Sequence, residues 1–199
     1  MLKELNGKGL LIHHWDTDGI CSARLLLEYL SDKDIVNKTP GLGNYFLTDD
    51  EVKTYSIYDF VIVADMSLPK ENILALAKNS KVAIFDHHLG SVIKEVFHHN
   101  PVIKGDDPNK YPSASWIIND YLKNPVNLFA LLGVVGDHEK RIQNNSVFSN
   151  YASEPSSGRQ NSITSFNVTS SGVSGTNPMY FRSFETSGIR RSISSKPSA

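Results

Sequence analysis

Cysteine is all but missing from this chain: its 199 residues contain one, Cys21. A single thiol excludes an intrachain disulfide, so the core must hold the fold, and the composition suits a reducing, cytoplasmic compartment. An excess of charge is missing as well. With 20 Lys+Arg against 21 Asp+Glu the formal net charge is -1, which gives no general pull toward polyanions or membranes and leaves only a localised basic patch open. No apolar run approaches the ~18–20 residues of a membrane span, and residues 1–8 lack the basic-then-apolar order of a secretory leader. The expectation is a soluble, intracellular protein with no membrane partner. Its 40% hydrophobic content is enough for a real core.

Aspartate is missing from one end only. Residues 142–199 hold no Asp, 2 Glu, 1 Lys and 4 Arg, a net of +3, together with 16 serines. Residues 1–141 hold 13 Asp, 6 Glu, 13 Lys and 2 Arg, a net of -4. The switch divides the chain into a folded domain, residues 1–141, and a Ser-rich low-complexity tail, residues 142–199. Apolar residues in the tail follow neither strand nor helix period, which predicts a segment without stable structure. The exchange of Lys for Arg and the loss of Asp are also what a non-native continuation, such as a frame change, would leave. A small folded element is the third reading. Asn167-Val168-Thr169 matches a glycosylation acceptor, which a cytoplasmic chain does not use.

The first part alternates. Residues 9–15, 60–64 and 81–85 are short apolar runs expected to be buried strands, with 96–102 a further candidate. Residues 20–30 place Ala23, Leu26, Leu27 and Leu30 at helical spacing, and 71–78, 113–122 and 127–135 also read as helices. Pro69 and Pro112 stand near helix starts, where a missing N–H costs little. Strands alternating with helices predict an α/β fold: a doubly wound, mostly parallel sheet with helices on both faces. Crossovers should be right-handed, and ligands should bind beyond the carboxyl ends of the strands.

The acids and imidazoles fall at those ends. The first strand runs into His13-His14-Trp15-Asp16-Thr17-Asp18-Gly19, the second into Asp65, the third into Asp86-His87-His88, and a late helix into Gly136-Asp137-His138-Glu139. Parallel strands would bring these groups to one rim. Carboxylates gathered there repel one another unless cations neutralise them. Mixed Asp and His donors suit Mn2+, Zn2+, Fe2+ or Co2+ better than Ca2+. Two ions ~3.5–4 Å apart need a bridging carboxylate and can share a hydroxide nucleophile. Asp16 and Asp18, two apart where the chain turns at Gly19, can address neighbouring ions. Other polar groups read as ordinary structure: His98-His99 as surface or structural, Asp106-Asp107-Pro108-Asn109 as a polar turn, and Asp32 to Asp34 and Asp49 to Glu51 as solvated loop charges.

Asp16-Thr17-Asp18-Gly19, Asp65, Asp86-His87-His88 and Gly136-Asp137, in that order, resemble the four motifs of the DHH phosphoesterase superfamily. The triplet together with the upstream Asp-x-Asp-Gly carries the resemblance, over about residues 8–140. His-Trp-Asp-Thr-Asp-Gly and Gly-Asp-His-Glu look most like RecJ-like members. The resemblance implies two ions, Mn2+ with Mg2+ or Co2+ as substitutes. Asp65 would bridge them, Asp16 and Asp18 would ligate one each, and His87 and Asp137 would complete the donors of the second ion. Asp86 would orient a histidine of the triplet, and His88 would contact the phosphate. The family's upstream His is replaced here by Ile12, which leaves His14 as the candidate ligand and His13 as the reserve. The glycine-rich motif of the family's second domain has no counterpart after residue 141.

The resemblance therefore implies a two-metal phosphodiesterase. Its substrate would be single-stranded DNA or RNA, a short oligonucleotide or a cyclic dinucleotide, with homo-oligomerisation left open. The alternatives are a catalytically inactive metal-binding fragment, a nucleic-acid-associated scaffold, or a pyrophosphatase. Arg24, Lys104 and Lys110 can meet a nucleic acid locally. Trp15 and Tyr111 can stack on a base or simply pack.

Overall fold

The computed structural model describes residues 1–138 and, within the Ser-rich tail, the strands at 167–169 and 172–174. Five strands form one sheet in the order β2-β1-β3-β4-β5: β1 Gly9–His13, β2 Ile35–Lys38, β3 Phe60–Ala64, β4 Lys81–Phe85 and β5 Phe97–His99. Every pairing is parallel, with Gly9 beside Phe60 and Phe60 beside Lys81. The expected α/β, doubly wound sheet is therefore present.

Side-chain alternation along the strands creates two cores. Leu11, Ile62, Ala83 and Phe85 pack with Ala23 and Leu26 of α1 (Thr17–Tyr29), Ile118 of α4 (Ala114–Tyr121) and Ala130 of α5 (Leu128–His138). Leu10, Ile12, Val61, Val63, Val82 and Ile84 pack on the opposite face with Ile73 and Leu76 of α3 (Lys70–Ala77), and Val52 of α2 (Asp49–Tyr55) joins from its edge. Because both faces are covered, β1 and β3 are buried at every position, which is why they read as unbroken apolar runs.

Two elements depart from the expectation. β2 has no counterpart among the expected strands: it is a four-residue edge strand with no buried position. Asp49 to Glu51, expected as loop charges, form the first turn of α2. Thr48 caps that helix, its Oγ accepting from the Glu51 N–H while the Glu51 carboxylate accepts from the Thr48 N–H, a reciprocal box that favours helix at this point. Asp32 and Asp34 are loop residues, and Asp107 closes an exposed turn by accepting from the Asn109 N–H at 2.9 Å. Pro69 immediately precedes α3, and Pro112 stands two residues before α4.

In the tail, β6 (Asn167–Thr169) and β7 (Gly172–Ser174) pair antiparallel, with Asn167 opposite Ser174. The remaining expectations for residues 142–199, and for the boundary at 141, lie outside the described residues.

Candidate metal centre

Each parallel strand hands its chemistry to the same edge. After β1 the His14 N–H still bonds to the Ala64 carbonyl at 3.3 Å, and Asp16 then caps α1, its Oδ1 accepting from the Gly19 N–H at 2.9 Å. Gly19 is required here, because a Cβ would collide with the His14 backbone carbonyl. Asp18 follows in the first helical turn and is fully buried. After β3, Asp65 adopts a left-handed φ of 57° while its N–H bonds to the Phe85 carbonyl at 2.9 Å. A non-glycine residue in that region carries strain of order 1–3 kcal/mol, here at the centre of the acidic cluster. After β4 come Asp86, His87 and His88. Asp137 arrives on α5, which packs close because Gly133 faces Ser115 and Asp18, and Gly136 faces Thr17, with no side chain between.

The resulting geometry is compact. His14 Nδ1 lies 2.6 Å from Asp16 Oδ2 and 3.8 Å from Asp65 Oδ2. His87 Nε2 lies 3.0 Å from Asp137 Oδ2, 3.3 Å from Asp65 Oδ1 and 3.9 Å from Asp18 Oδ2. Three sets offer one donor atom per residue with all donors within 4.8 Å: His14, Asp16 and Asp65; Asp18, His87 and Asp137; Asp65, His87 and His88. Asp65 and His87 tie the sets together. All six expected metal ligands are thus brought to one cluster. His13 is not among them, its Nδ1 lying 2.6 Å from the His14 carbonyl oxygen.

Burial sets the electrostatics. Asp65 is 2% exposed, and burial pushes its carboxyl up to about 9. Asp18 is raised by burial and then by the charge of Asp137, although its two oxygens accept the Ala114 and Ser115 N–H groups at 2.6 and 3.0 Å. Those amides open α4, where the helix dipole favours an anion. Burial alone would lower His87, but Asp137 and Asp65 outweigh it and hold the imidazolium up to about 11. In the metal-free site protons therefore take the place of cations. Both Asp65 oxygens, His87 Nε2 and His14 Nε2 are buried and make no well-formed hydrogen bond. Buried polar atoms left this way normally have a partner, and nitrogen and carboxylate donors in this number fit divalent metal ions of the Mn2+ or Zn2+ type.

The last two expected residues, Asp86 and His88, are bonded to each other, and His88 also belongs to the third donor set. His88 Nδ1 lies 2.7 Å from Asp86 Oδ1, and Asp86 Oδ2 accepts from Ser67 Oγ at 2.8 Å. Burial works against the Asp86 carboxylate, but the bonds from His88 and Ser67 hold its pKa below the ordinary value. Asn100 donates to the His88 carbonyl at 2.9 Å. Ser67, Asn100 and the α4 amides on Asp18 lie outside the sequence expectation, and no local signal announces them. Gly133 and Gly136, one turn apart in an apolar helix, do signal a close approach. His98 and His99 lie on β5, where His98 Nδ1 accepts from the Ile93 N–H at 3.2 Å.

Residues 9–135 match the DHH family, N-terminal domain. The chain belongs to this family of metal-dependent phosphoesterases. Among solved structures it is similar to RecJ in complex with Mn2+ from Thermus thermophilus, at 18% identity and a TM-score of 0.50. The match covers 73% of this chain and 26% of that one, so the chain spans about a quarter of the length of that relative. No curated protein matches the chain. Among the described residues, no helix is long and apolar enough to cross a membrane.

Proposed function

We propose that the chain is a two-metal phosphodiesterase acting on single-stranded nucleic acid, short oligonucleotides or cyclic dinucleotides, with Mn2+ as its cofactor. The observation that supports this most is Asp65, whose two buried oxygens make no well-formed hydrogen bond, one lying 3.8 Å from His14 Nδ1 and the other 3.3 Å from His87 Nε2. In this reading Asp65 bridges, His14 and Asp16 hold one ion, and Asp18, His87 and Asp137 hold the other. Bound ions would supply Lewis-acid polarisation of the phosphoryl group and an activated water. The protein's own groups do the rest. Asp86 fixes the ring of His88 through Nδ1, leaving Nε2 for a phosphoryl or leaving oxygen. The α1 and α4 N-termini hold Asp16 and Asp18 in place. We take the cytoplasm as the compartment, on the strength of a single, buried thiol.

The test is a calorimetric Mn2+ titration of wild type and Asp65→Asn, beside hydrolysis of bis-p-nitrophenyl phosphate, pyrophosphate and a short oligonucleotide. Wild type should bind two ions and cleave the diesters; Asp65→Asn should bind at most one and cleave none. Two ions retained in the variant would refute the bridging role. Tight Mn2+ binding with every diester left intact would assign the chain to the scaffold class instead.

A further inference from the structure

An aromatic surface begins at one of the proposed ligands. The His14 ring centroid lies 4.3 Å from that of Trp15 and 5.5 Å from that of Tyr45, and the Trp15 and Tyr45 centroids are 5.2 Å apart. The same His14 has Nδ1 2.6 Å from Asp16 Oδ2. Rings therefore run outward, in contact, from the donor cluster. Neither Trp15 nor Tyr45 packs against either hydrophobic core, so the fold does not need them as filling. Tyr45 sits in the loop between β2 and α2, at the carboxyl edge of the sheet. It is 58% exposed and is flanked by Phe46 at 48% and, three residues earlier, Leu42 at 84%. Large apolar surface left open beside a hydrolytic centre costs solubility unless something covers it in use.

We propose that Tyr45, buttressed by Trp15, is a stacking platform for the nucleobase adjoining the scissile phosphate, so that the substrate is a single-stranded nucleotide diester. This rests on the hydrolytic reading and narrows its substrate. Rings separated as Trp15 and Tyr45 are touch each other and leave no slot between them, since ordinary aromatic pairs have centroids ~4.5–7 Å apart. The base therefore lies on the open face of Tyr45. Only an unpaired base can leave its own stack to do so, and any of the four bases will serve, because each has a π-face. The charge balance supports the same division of labour. Residues 1–141 carry a net of -4, which gives no overall pull on a polyanion, so a non-electrostatic contact adds grip that charge does not supply. Pyrophosphate, which has no base, gains nothing from the platform.

The test uses the full chain with Mn2+ and two 5′-labelled single-stranded oligonucleotides, one normal and one abasic at the terminal nucleotide. Fluorescence anisotropy gives binding, and initial rates give kcat/KM. Tyr45→Ala should weaken binding and kcat/KM for the normal strand by roughly 5- to 150-fold, the effect of deleting one base–aromatic stack. It should leave the abasic strand unchanged, and Tyr45→Phe should behave as wild type on both. Equal losses on both strands, or no loss on either, overturn the platform even if cleavage proceeds. If wild type cleaves nothing but Tyr45→Ala still weakens binding of the normal strand alone, the platform stands and the hydrolytic reading fails. Absence of both cleavage and binding overturns both.

Discussion

Asp65→Asn should make the metal-free protein more stable, by a margin that grows with pH. The substitution keeps shape and removes the charge, and Asn tolerates the left-handed backbone found there. Burial raises the wild-type carboxyl from 3.8 to about 9. A group raised on folding contributes stability in full below its unfolded value and loses it as pH climbs through the folded one. For Asp65 the loss therefore runs from about pH 4 to about pH 9 at ~1.36 kcal/mol per unit. Between pH 5 and pH 8 wild type should lose about 4 kcal/mol relative to the variant, which carries no such titration. His87, raised from 6.5 to about 11, loses stability with the same sign; the part of that shift due to Asp137 and Asp18 remains in the variant, and the part due to Asp65 is removed with the charge. Urea unfolding of EDTA-treated samples at pH 5, 6, 7 and 8 measures the margin. Excess Mn2+ should narrow the margin, adding ~2.7 kcal/mol per bound ion to wild type at a hundred times Kd. A margin that stays flat across this range, or wild type more stable throughout without metal, would refute burial of an uncompensated carboxyl as the origin of the shift.

Mn2+ binding should release protons, because Asp65 and His87 both hold them at neutral pH in the metal-free site and both must lose them to act as ligands. Apparent affinity should rise with pH between 6 and 8, by up to roughly 100-fold per unit for two protons; calorimetry in buffers of different ionisation enthalpy counts them, and a pH-independent affinity would contradict the site. Gly133→Ala should drive a methyl group into Ser115 Oγ and Asp18 Oδ1, lowering stability by about 1–3 kcal/mol and weakening Mn2+ binding at the Asp18 side. Unchanged thermal unfolding together with unchanged metal titration would show that α5 gives way without cost.

What was legible follows from how each element is stabilised. β1, β3 and β4 lie in the interior of the sheet, so their sequences are unbroken apolar runs that announce themselves. β2 is at the edge and α2 contributes no buried residue, so neither carries a core pattern. The one local sign of α2, Thr48 three residues before Glu51, is a cap rather than a periodicity. The same logic divides the site. Acids at strand ends are visible because chain direction alone delivers them to one rim. Their supports are not, because they depend on approach in space: the amides that bind Asp18 lie 96 and 97 residues away, and Ser67 reaches Asp86 across 19.

The acids at this rim are held in different ways, and on the proposed two-metal reading the difference explains which one is suited to lie between ions. Asp16 is tied to the N-terminus of its own helix and Asp18 to the N-terminus of α4. Each has spent lone pairs on backbone amides and gained a fixed direction. Asp86 is tied to Ser67 and His88 and so is occupied in orienting an imidazole. Among the described residues Asp65 accepts from no amide or hydroxyl, and the imidazoles of His14 and His87 lie 3.8 and 3.3 Å from its oxygens. Its direction is set instead by the backbone, through a strained left-handed turn locked by its own N–H to Phe85. A bridging ligand must leave both oxygens free and yet not move, and a side chain aimed by main-chain geometry meets both conditions at once. The cost is a buried carboxyl that must take up a proton whenever metal is removed.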